Sequence, residues 1–245
     1  MVAHVRTLAF EGIEVTPIDV QVQTVSGLPT FAIVGLPDKA VGESKERVRA
    51  AIHSLGLSLP AQRIIVNLAP ADIVKEGSHF DLPIAIGLLI SMGVLPQDAM
   101  EQYITLGELS LDGVLQPVGG VLPAAIHAQS EEKGLICPQA CGGEAAWSGL
   151  DDILAPSSLL ALINHVKGTQ VLARPECDIR TETRRFTDMR EIRGQHTARR
   201  ALEVAAAGGH NLLMVGPPGA GKSMLASCLP GILPPLDAVE ILGIM

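Results

Sequence analysis

The sequence has few cysteines and few aromatic residues, and each shortage argues against a class of function. Its four cysteines (Cys137, Cys141, Cys177 and Cys228) show no C-x-x-C spacing and no paired histidine motif, which disfavours a zinc site or a disulfide framework. We therefore expect buried free thiols in a reducing compartment. Four Phe, one Tyr and one Trp provide no stacking platform for single-stranded nucleic acid.

Long apolar runs are also missing. The longest run, residues 84–94, is interrupted by Ser91 and Gly93 and is too short to span a bilayer. The first residues lack the apolar core and the cleavage site of a signal peptide. We predict a cytoplasmic protein without a membrane partner.

Positive charge is scarce in the first two-thirds of the chain. Residues 1–166 contain eight Lys or Arg and eighteen Asp or Glu, whereas residues 167–200 contain nine Lys or Arg and five Asp or Glu. The formal net charge of the whole chain is −8. Because non-specific DNA affinity depends on phosphate neutralisation, the first region is expected to be a poor unaided binder of nucleic acid. The 245 residues, 47% of them hydrophobic, are typical of one or two globular domains.

The most informative motif lies near residue 220 and fits the phosphate-loop pattern G-x-x-x-x-G-K-S/T. It consists of Gly216, Pro217, Pro218, Gly219, Ala220, Gly221, Lys222 and Ser223. The apolar run 211–215 is predicted to be a central strand and residues 224–229 a helix, which is the context that the motif requires. The alternative is a Gly/Pro-rich turn that happens to precede Lys-Ser.

The chemistry of such a loop is phosphate binding. Its backbone N–H groups point at phosphate oxygens, Lys222 would reach the β- and γ-phosphates, and Ser223 would ligate Mg²⁺. We therefore predict ATP and Mg²⁺ as cofactors.

Periodicity before the loop predicts an α/β domain over residues 1–166. Strands are expected at 5–10, 13–15, 18–25, 31–35, 63–68, 104–109, 114–118, 135–137 and 153–154, with a hairpin turn at Asp112-Gly113. Helices are expected at 38–55, 81–92 (capped by Asp81), 122–129, 140–147 and 157–166. The charged residues of the first helix, among them Arg47, are interpreted as a solvated face. Antiparallel strands followed by β/α alternation indicate one mixed sheet.

The remainder is predicted to be a linker at 167–187 and a second module at 188–245. Pro175 and dense charge indicate the linker. A helical segment is expected from Asp188 to Ala207, where Gly208-Gly209 ends it.

These segments resemble the YifB/ComM family of magnesium-chelatase-like AAA+ ATPases. The resemblance in the second module rests on DMREIRGQ (188–195), ARRALE (198–203), GGHNLL (208–213) and the phosphate loop. In the first domain it rests on GLPD (35–38), NLAPAD (67–72) and KEGSHFDLPIA (75–85).

The resemblance implies a fold and an activity. The first domain would be a Lon-protease-like α+β domain with a mixed sheet, followed by a truncated P-loop AAA+ α/β module. The family's AAA+ domain forms a ring that hydrolyses ATP, and ComM-like members are implicated in DNA branch migration during natural transformation. The implied partners are further copies of the chain and DNA, the latter through AAA+ sequence beyond Met245. Ile192, Gly194 and Gln195 would belong to the box that meets the adenine side of the nucleotide; alternatively, Ile192 is a core residue and Gly194-Gln195 a turn.

The peptidase residues of Lon-type enzymes are not matched. Those enzymes use a serine nucleophile within the segment K-D-G-P-S-A-G and a lysine base just after a later Gly-Gly. At those positions this chain has His79 and Leu122. We therefore predict no catalytic residue and no peptidase activity; a hydrolase that uses Ser78 or His79 is a less favoured alternative, and Asp72 and Glu76 are interpreted as solvated loop residues.

The sequence also lacks the later ATPase motifs, namely a strand ending in Asp-Glu, a sensor and an arginine finger. Because these groups supply much of the catalysis of phosphoryl transfer, we expect this chain not to hydrolyse ATP alone. We also expect it to bind ATP weakly, because the adenine pocket would lack one of its walls. The alternative function is a non-catalytic Lon-like assembly or binding module with a non-functional ATPase remnant. Residues 188–245 are expected to be mobile or attached to another surface.

Overall fold

A computed structural model describes residues 2–12, 14–177 and 186–234 of the chain. Contacts divide the protein into two units, Met1–Asp178 and Ile179–Met245. Residues 178–185 of the predicted linker and 235–245 of the predicted second module lie outside the described residues. The domain boundaries at 166 and 188 therefore stay predictions.

The first unit alternates strands and helices. Its elements are β1 (Val2–Glu11), β2 (Glu14–Val25), β3 (Thr30–Val34), α1 (Lys39–Ser54), β4 (Arg63–Ala69), α2 (Asp81–Ser91), α3 (Gln97–Met100), β5 (Tyr103–Thr105), β6 (Glu108–Leu109), β7 (Leu115–Gln116), α4 (Val121–Ser130), β8 (Gly134–Ile136), α5 (Gly142–Ala146), β9 (Ile153–Leu154) and α6 (Leu159–Val166). Single 3₁₀ turns precede α2 at Ser78–Phe80 and α5 at Gln139–Cys141. Periodicity did not predict the short helix α3, and the strand predicted at 104–109 is divided into β5 and β6.

Seven strands form one mixed sheet in the order β3-β4-β2-β1-β5-β8-β9. The pairs β1–β2 and β2–β4 are antiparallel, and the other four pairs are parallel. β6 and β7 form a separate antiparallel hairpin around the predicted Asp112-Gly113 turn. The predicted mixed α/β fold is therefore confirmed.

The core lies on both faces of the sheet. On one face, α1 presents the apolar stripe Val41, Val48, Ala51 and Ile52, and every residue of α2 from Asp81 to Ile90 is buried. Asp38 caps α1 by accepting a hydrogen bond from the Val41 N–H at 2.7 Å. A second cluster packs α4 against strands β5 and β8, with Leu8 of β1 at its base.

Two predictions for α1 and α2 were wrong. Asp81 does not cap α2, because the residue at the cap position is Phe80 and makes no side-chain cap bond. Arg47 does not belong to a solvated face, because its guanidinium is paired with the buried carboxylate of Asp81. The tertiary contact between the two helices therefore replaces two local roles that the sequence suggested.

The second unit contains 3₁₀ turns at Met189–Glu191 and Leu229–Gly231 and two helices, α7 (His196–Gly208) and α8 (Lys222–Cys228). Its small core consists of Met189, Ile192, Leu202, Leu225 and Cys228. The predicted continuous helix from Asp188 was wrong, because Gly194 and Gln195 take the left-handed conformation at φ 73° and 54° and interrupt it.

The predicted strand at residues 211–215 is also absent from the described part of the second unit. The stretch has no strand partner there, and Leu213 and Val215 are 86% and 88% exposed. A strand needs a neighbour to pair its backbone groups, and the described residues of this unit supply none.

The cysteine prediction was correct for three residues and wrong for one. Cys137, Cys141 and Cys228 are buried free thiols, whereas Cys177 is exposed. Separately, none of the helices in the described ranges is long and apolar enough to cross a membrane.

Candidate nucleotide-binding site

The phosphate loop (residues 216–223) is an exposed turn that leads directly into α8. The Ala220 N–H donates to the Pro217 carbonyl at 3.3 Å, and the Leu225 N–H donates to the Gly221 carbonyl at 3.0 Å to begin the helix. Gly219 and Gly221 both have φ of 81°. This conformation favours glycine, which explains the fixed glycine of the pattern at 221 and the glycine that this chain has at the variable position 219.

Lys222 folds back over the loop that carries it. Its ammonium donates to the carbonyl oxygens of Gly216 and Pro217, each at 2.8 Å. The ammonium is therefore placed at the loop, where a phosphate oxygen would compete with these carbonyls for its protons. Ser223 is exposed, and no hydrogen bond to its hydroxyl is found among the described residues.

The predicted adenine-side residues are placed differently from one another. Ile192 is 5% exposed and lies in the small core with Leu225 of α8. Gly194 forms part of the left-handed break before α7. Gln195 extends from this break to the phosphate loop, where its side-chain amide donates to the Ala220 carbonyl at 3.3 Å. The structure thus connects Gln195 with the phosphate loop and places Ile192 in the core below α8.

A cleft of about 270 Å³ lies elsewhere in the second unit. Its lining consists of Phe186, Thr187, Asp188, Met189, Gly231 and Ile232. None of the predicted site residues belongs to this lining. Within the described residues, no group of three or more His, Cys, Asp or Glu side chains is arranged to hold a metal ion.

The peptidase-like segment of the first unit has a different chemistry from a Ser–Lys dyad. The Ser78 hydroxyl donates to the carboxylate of Glu108 in a short hydrogen bond. Leu122, at the position of the lysine base, is buried in the core at 4% exposure. No hydrogen bond joins Ser78 to an amine or imidazole among the described residues.

His79 is a core histidine. Its ring is 7% exposed, lies 5.3 Å from the ring of Phe10 and 4.3 Å from that of Phe80, and its Nε2 is 2.9 Å from the Leu8 carbonyl. Burial lowers the pKa of this imidazole, and the contact with Leu8 opposes the shift. The ring therefore supports packing around α2 and is not presented to solvent as a base.

Lys75 is the residue in this segment whose role sequence reasoning missed. It is fully buried, and its ammonium donates to the carbonyl oxygens of Pro70 and, at 2.7 Å, Ile73. Burial lowers the pKa of the ammonium. The side chain thereby ties together the loop between β4 and α2, while Asp72 and Glu76 in the same loop are exposed. A lysine in a polar loop gives no signal in the sequence that it is buried.

Comparison with known protein families gives a magnesium chelatase match in each of the two units. The family model for subunit ChlI of magnesium chelatase matches residues 20–141, and a second magnesium chelatase ChlI model matches residues 188–245. The second match contains the phosphate loop together with Ile192, Gly194 and Gln195.

Individual relatives match almost the whole chain. It is 40% identical over 240 residues to YifB of Salmonella typhimurium, covering 98% of this chain and 47% of the relative. It is 40% identical over 243 residues to the competence protein ComM of Haemophilus influenzae, covering 97% of this chain and 48% of the relative. An uncharacterised protein of Mycobacterium tuberculosis is 38% identical over 239 residues, covering 97% and 48%. The chain thus spans about half the length of the curated relatives it matches.

Proposed function

Because the chain belongs to the magnesium-chelatase-like family of YifB and ComM, we propose that its phosphate loop binds Mg-ATP as part of an AAA+ ATPase. The observation that supports this best is the loop itself. All four fixed positions of the pattern are present, the two left-handed glycines shape the turn, and Lys222 lies across it.

The roles of the side chains follow from their chemistry. Lys222 would exchange its two carbonyl acceptors for phosphate oxygens, which are stronger acceptors because they carry charge. Ser223 has an exposed hydroxyl at the first turn of α8, which fits a Mg²⁺ ligand because a hydroxyl oxygen suits this hard cation. Bound Mg²⁺ would neutralise charge on the β- and γ-phosphates.

The test is nucleotide binding by the 245-residue chain. Titration calorimetry with Mg-ATP is expected to give saturable heat for the wild type and none for Lys222→Ala. Arg200→Ala is the matched control, because it removes one positive charge from an exposed position of α7 whose side chain is hydrogen-bonded to Glu203 of the same helix. Equal binding by the wild type and by Lys222→Ala would show that the loop is not the nucleotide site.

A second candidate function has one specific observation in its favour. The stretch 211–215, which should present the loop from a central strand, is exposed except for the partly buried Met214 and is not paired as a strand within the described part of the second unit, whereas the first unit has a large core. This favours a non-catalytic Lon-like assembly or binding module with an ATPase remnant. A wild-type chain that folds but gives no heat with Mg-ATP would support this second function.

The activity of the whole protein is a wider proposal. ComM is named a competence protein, and we propose by similarity that the protein to which this chain corresponds assembles with further copies of itself and acts on DNA. Sedimentation with and without Mg-ATP tests the assembly, and fluorescence anisotropy with labelled DNA tests the binding. We expect little DNA binding by the first unit itself, because residues 1–166 carry an excess of ten acidic over basic side chains (eighteen minus eight).

A further inference from the structure

Gln195 has a constrained backbone. It takes the left-handed conformation at φ 54° and ψ 36°, directly before the first residue of α7. A non-glycine residue in this region is uncommon and persists where the surrounding structure fixes it. Here the fixed neighbours are Ile192, which is anchored in the core, and Arg199, whose N–H donates to the Gln195 carbonyl at 2.9 Å.

This backbone conformation carries the side chain to the phosphate loop. The Gln195 amide donates to the Ala220 carbonyl at 3.3 Å, a contact between residues 25 positions apart. Lys222 makes its hydrogen bonds from within the loop. Among the described residues of the second unit outside the loop, Gln195 is the one whose side chain is hydrogen-bonded to it. The residue therefore contacts the phosphate side of the predicted site.

The position of the acceptor gives this contact a consequence. The Ala220 carbonyl and the Gly221 N–H belong to one planar trans peptide and point in opposite directions. Rotation of this peptide plane changes ψ of Ala220 and φ of Gly221. Gly221 has φ of 81° and no Cβ, so on its side the plane can rotate at little steric cost. A hydrogen bond to the carbonyl selects one orientation, in which the Gly221 N–H points away from Gln195.

We propose that Gln195 is a positioning residue of the phosphate loop: by holding the Ala220 carbonyl, it aims the Gly221 N–H at a bound phosphate. This inference rests on the proposed function of the loop. The resemblance implied a role for Gln195 at the adenine side of the nucleotide, which would require a contact with the base. The contact in the structure is with the phosphate loop.

The experiment compares two ligands that share phosphates and differ in the base. Binding of Mg-ATP and of magnesium tripolyphosphate to the 245-residue chain is measured by calorimetry for the wild type, Gln195→Ala, Gln195→Gly and the control Thr197→Ala. Thr197 is exposed at the start of the same helix, and no bond to the loop is found for it among the described residues. Glycine adopts the left-handed conformation without strain, so Gln195→Gly keeps the fold if Gln195→Ala does not.

Both substitutions at Gln195 are expected to weaken the binding of ATP and of tripolyphosphate by the same factor. The expected factor is about threefold to tenfold, which corresponds to the loss of one hydrogen bond. Thr197→Ala should bind both ligands as the wild type does. The melting temperature without ligand should stay close to that of the wild type in Gln195→Gly and in Thr197→Ala.

Three results would overturn the inference. A loss confined to ATP would place Gln195 at the base, and unchanged binding of both ligands would show that the contact has no role. A wild type that binds ATP but not tripolyphosphate would show that the loop contributes too little for its positioning to matter. If the wild type binds neither ligand, the proposed function itself fails. This result is seen with the wild type alone, so it is distinguishable from a failure of the inference about Gln195.

Discussion

The guanidinium of Arg47 makes two hydrogen bonds to the carboxylate of Asp81, at 2.6 Å from Nε and 3.0 Å from Nη2. The carboxylate is fully buried and also accepts the Leu109 N–H at 3.1 Å. The pair thus joins α1, α2 and the β6–β7 hairpin. The hydrogen bond to Asp81 raises the pKa of Arg47, whereas burial raises the pKa of Asp81 and the hydrogen bonds to its carboxylate oppose that shift.

Removing one partner of this pair should be costly. Arg47→Ala leaves the buried carboxylate of Asp81 without its cation, and we expect it to lower the free energy of unfolding by about 3–5 kcal/mol. Urea denaturation followed by circular dichroism measures the loss.

The control lies two residues along the same helix. Arg49 has a half-exposed side chain whose nearest carboxylate, that of Glu46, is 4.0 Å away, so Arg49→Ala should change stability by less than about 0.5 kcal/mol. Similar effects of the two substitutions would mean that the Arg47–Asp81 pair is no more important than a surface contact.

The buried imidazole of His79 should make the first unit sensitive to acid. Its pKa is lowered by burial, so between that value and the unfolded value of about 6.5 the unfolded chain binds more protons than the folded one. Stability therefore rises with pH through this window, is fully present above it, and is lost as pH falls below about 6.5.

Urea denaturation between about pH 5 and pH 8 tests this dependence. His79→Gln should show a weaker fall toward acid than the wild type, although it is less stable at neutral pH. His53→Gln, at an exposed position of α1, is the control and should retain the wild-type dependence. The prediction fails if His79→Gln loses stability toward acid as steeply as the wild type does.

One thiol should react much faster than the other three. Cys177 is exposed, whereas burial raises the pKa of Cys137 to about 12 and also raises the pKa values of Cys141 and Cys228. Because the thiolate is the reactive form, we expect a single rapid phase with a disulfide reagent near pH 8.

Cys177→Ser should remove the rapid phase and leave the fold unchanged. Denaturation should make all four thiols of the wild type reactive. Two or more rapid thiols in the native protein would show that Cys141 or Cys228 is less protected than its burial indicates.

Amide exchange should distinguish the stretch 211–215 from a paired strand. Its residues are exposed or partly exposed and have no strand partner in the described part of the second unit, so we expect exchange with little protection. β4, which is paired on both sides by β2 and β3, is the internal reference. Protection of 211–215 equal to that of β4 would show that the stretch is a strand after all, and addition of Mg-ATP in the same experiment would show whether ligand orders it.

The sequence alone determined most of the local structure of the first unit. The helix predicted at 38–55 and the Asp112-Gly113 turn were both readable, because each depends on the period of apolar residues or on the chemistry of a short segment. The phosphate-loop pattern and the family resemblance were readable for the same reason, since a fixed spacing of residue types carries them. The functional residues of the loop stay predictions.

The tertiary structure decided which polar residues are buried and which apolar ones are not. Arg47 and Lys75 are charged residues in segments that look solvated. Arg47 is partly buried and paired with Asp81, and Lys75 is fully buried and bonded to two loop carbonyls. Leu213 and Val215 look like core residues and are exposed because the described part of their unit pairs no strand with them. Burial depends on partners that are distant in the chain, and a local pattern contains no information about whether those partners are present.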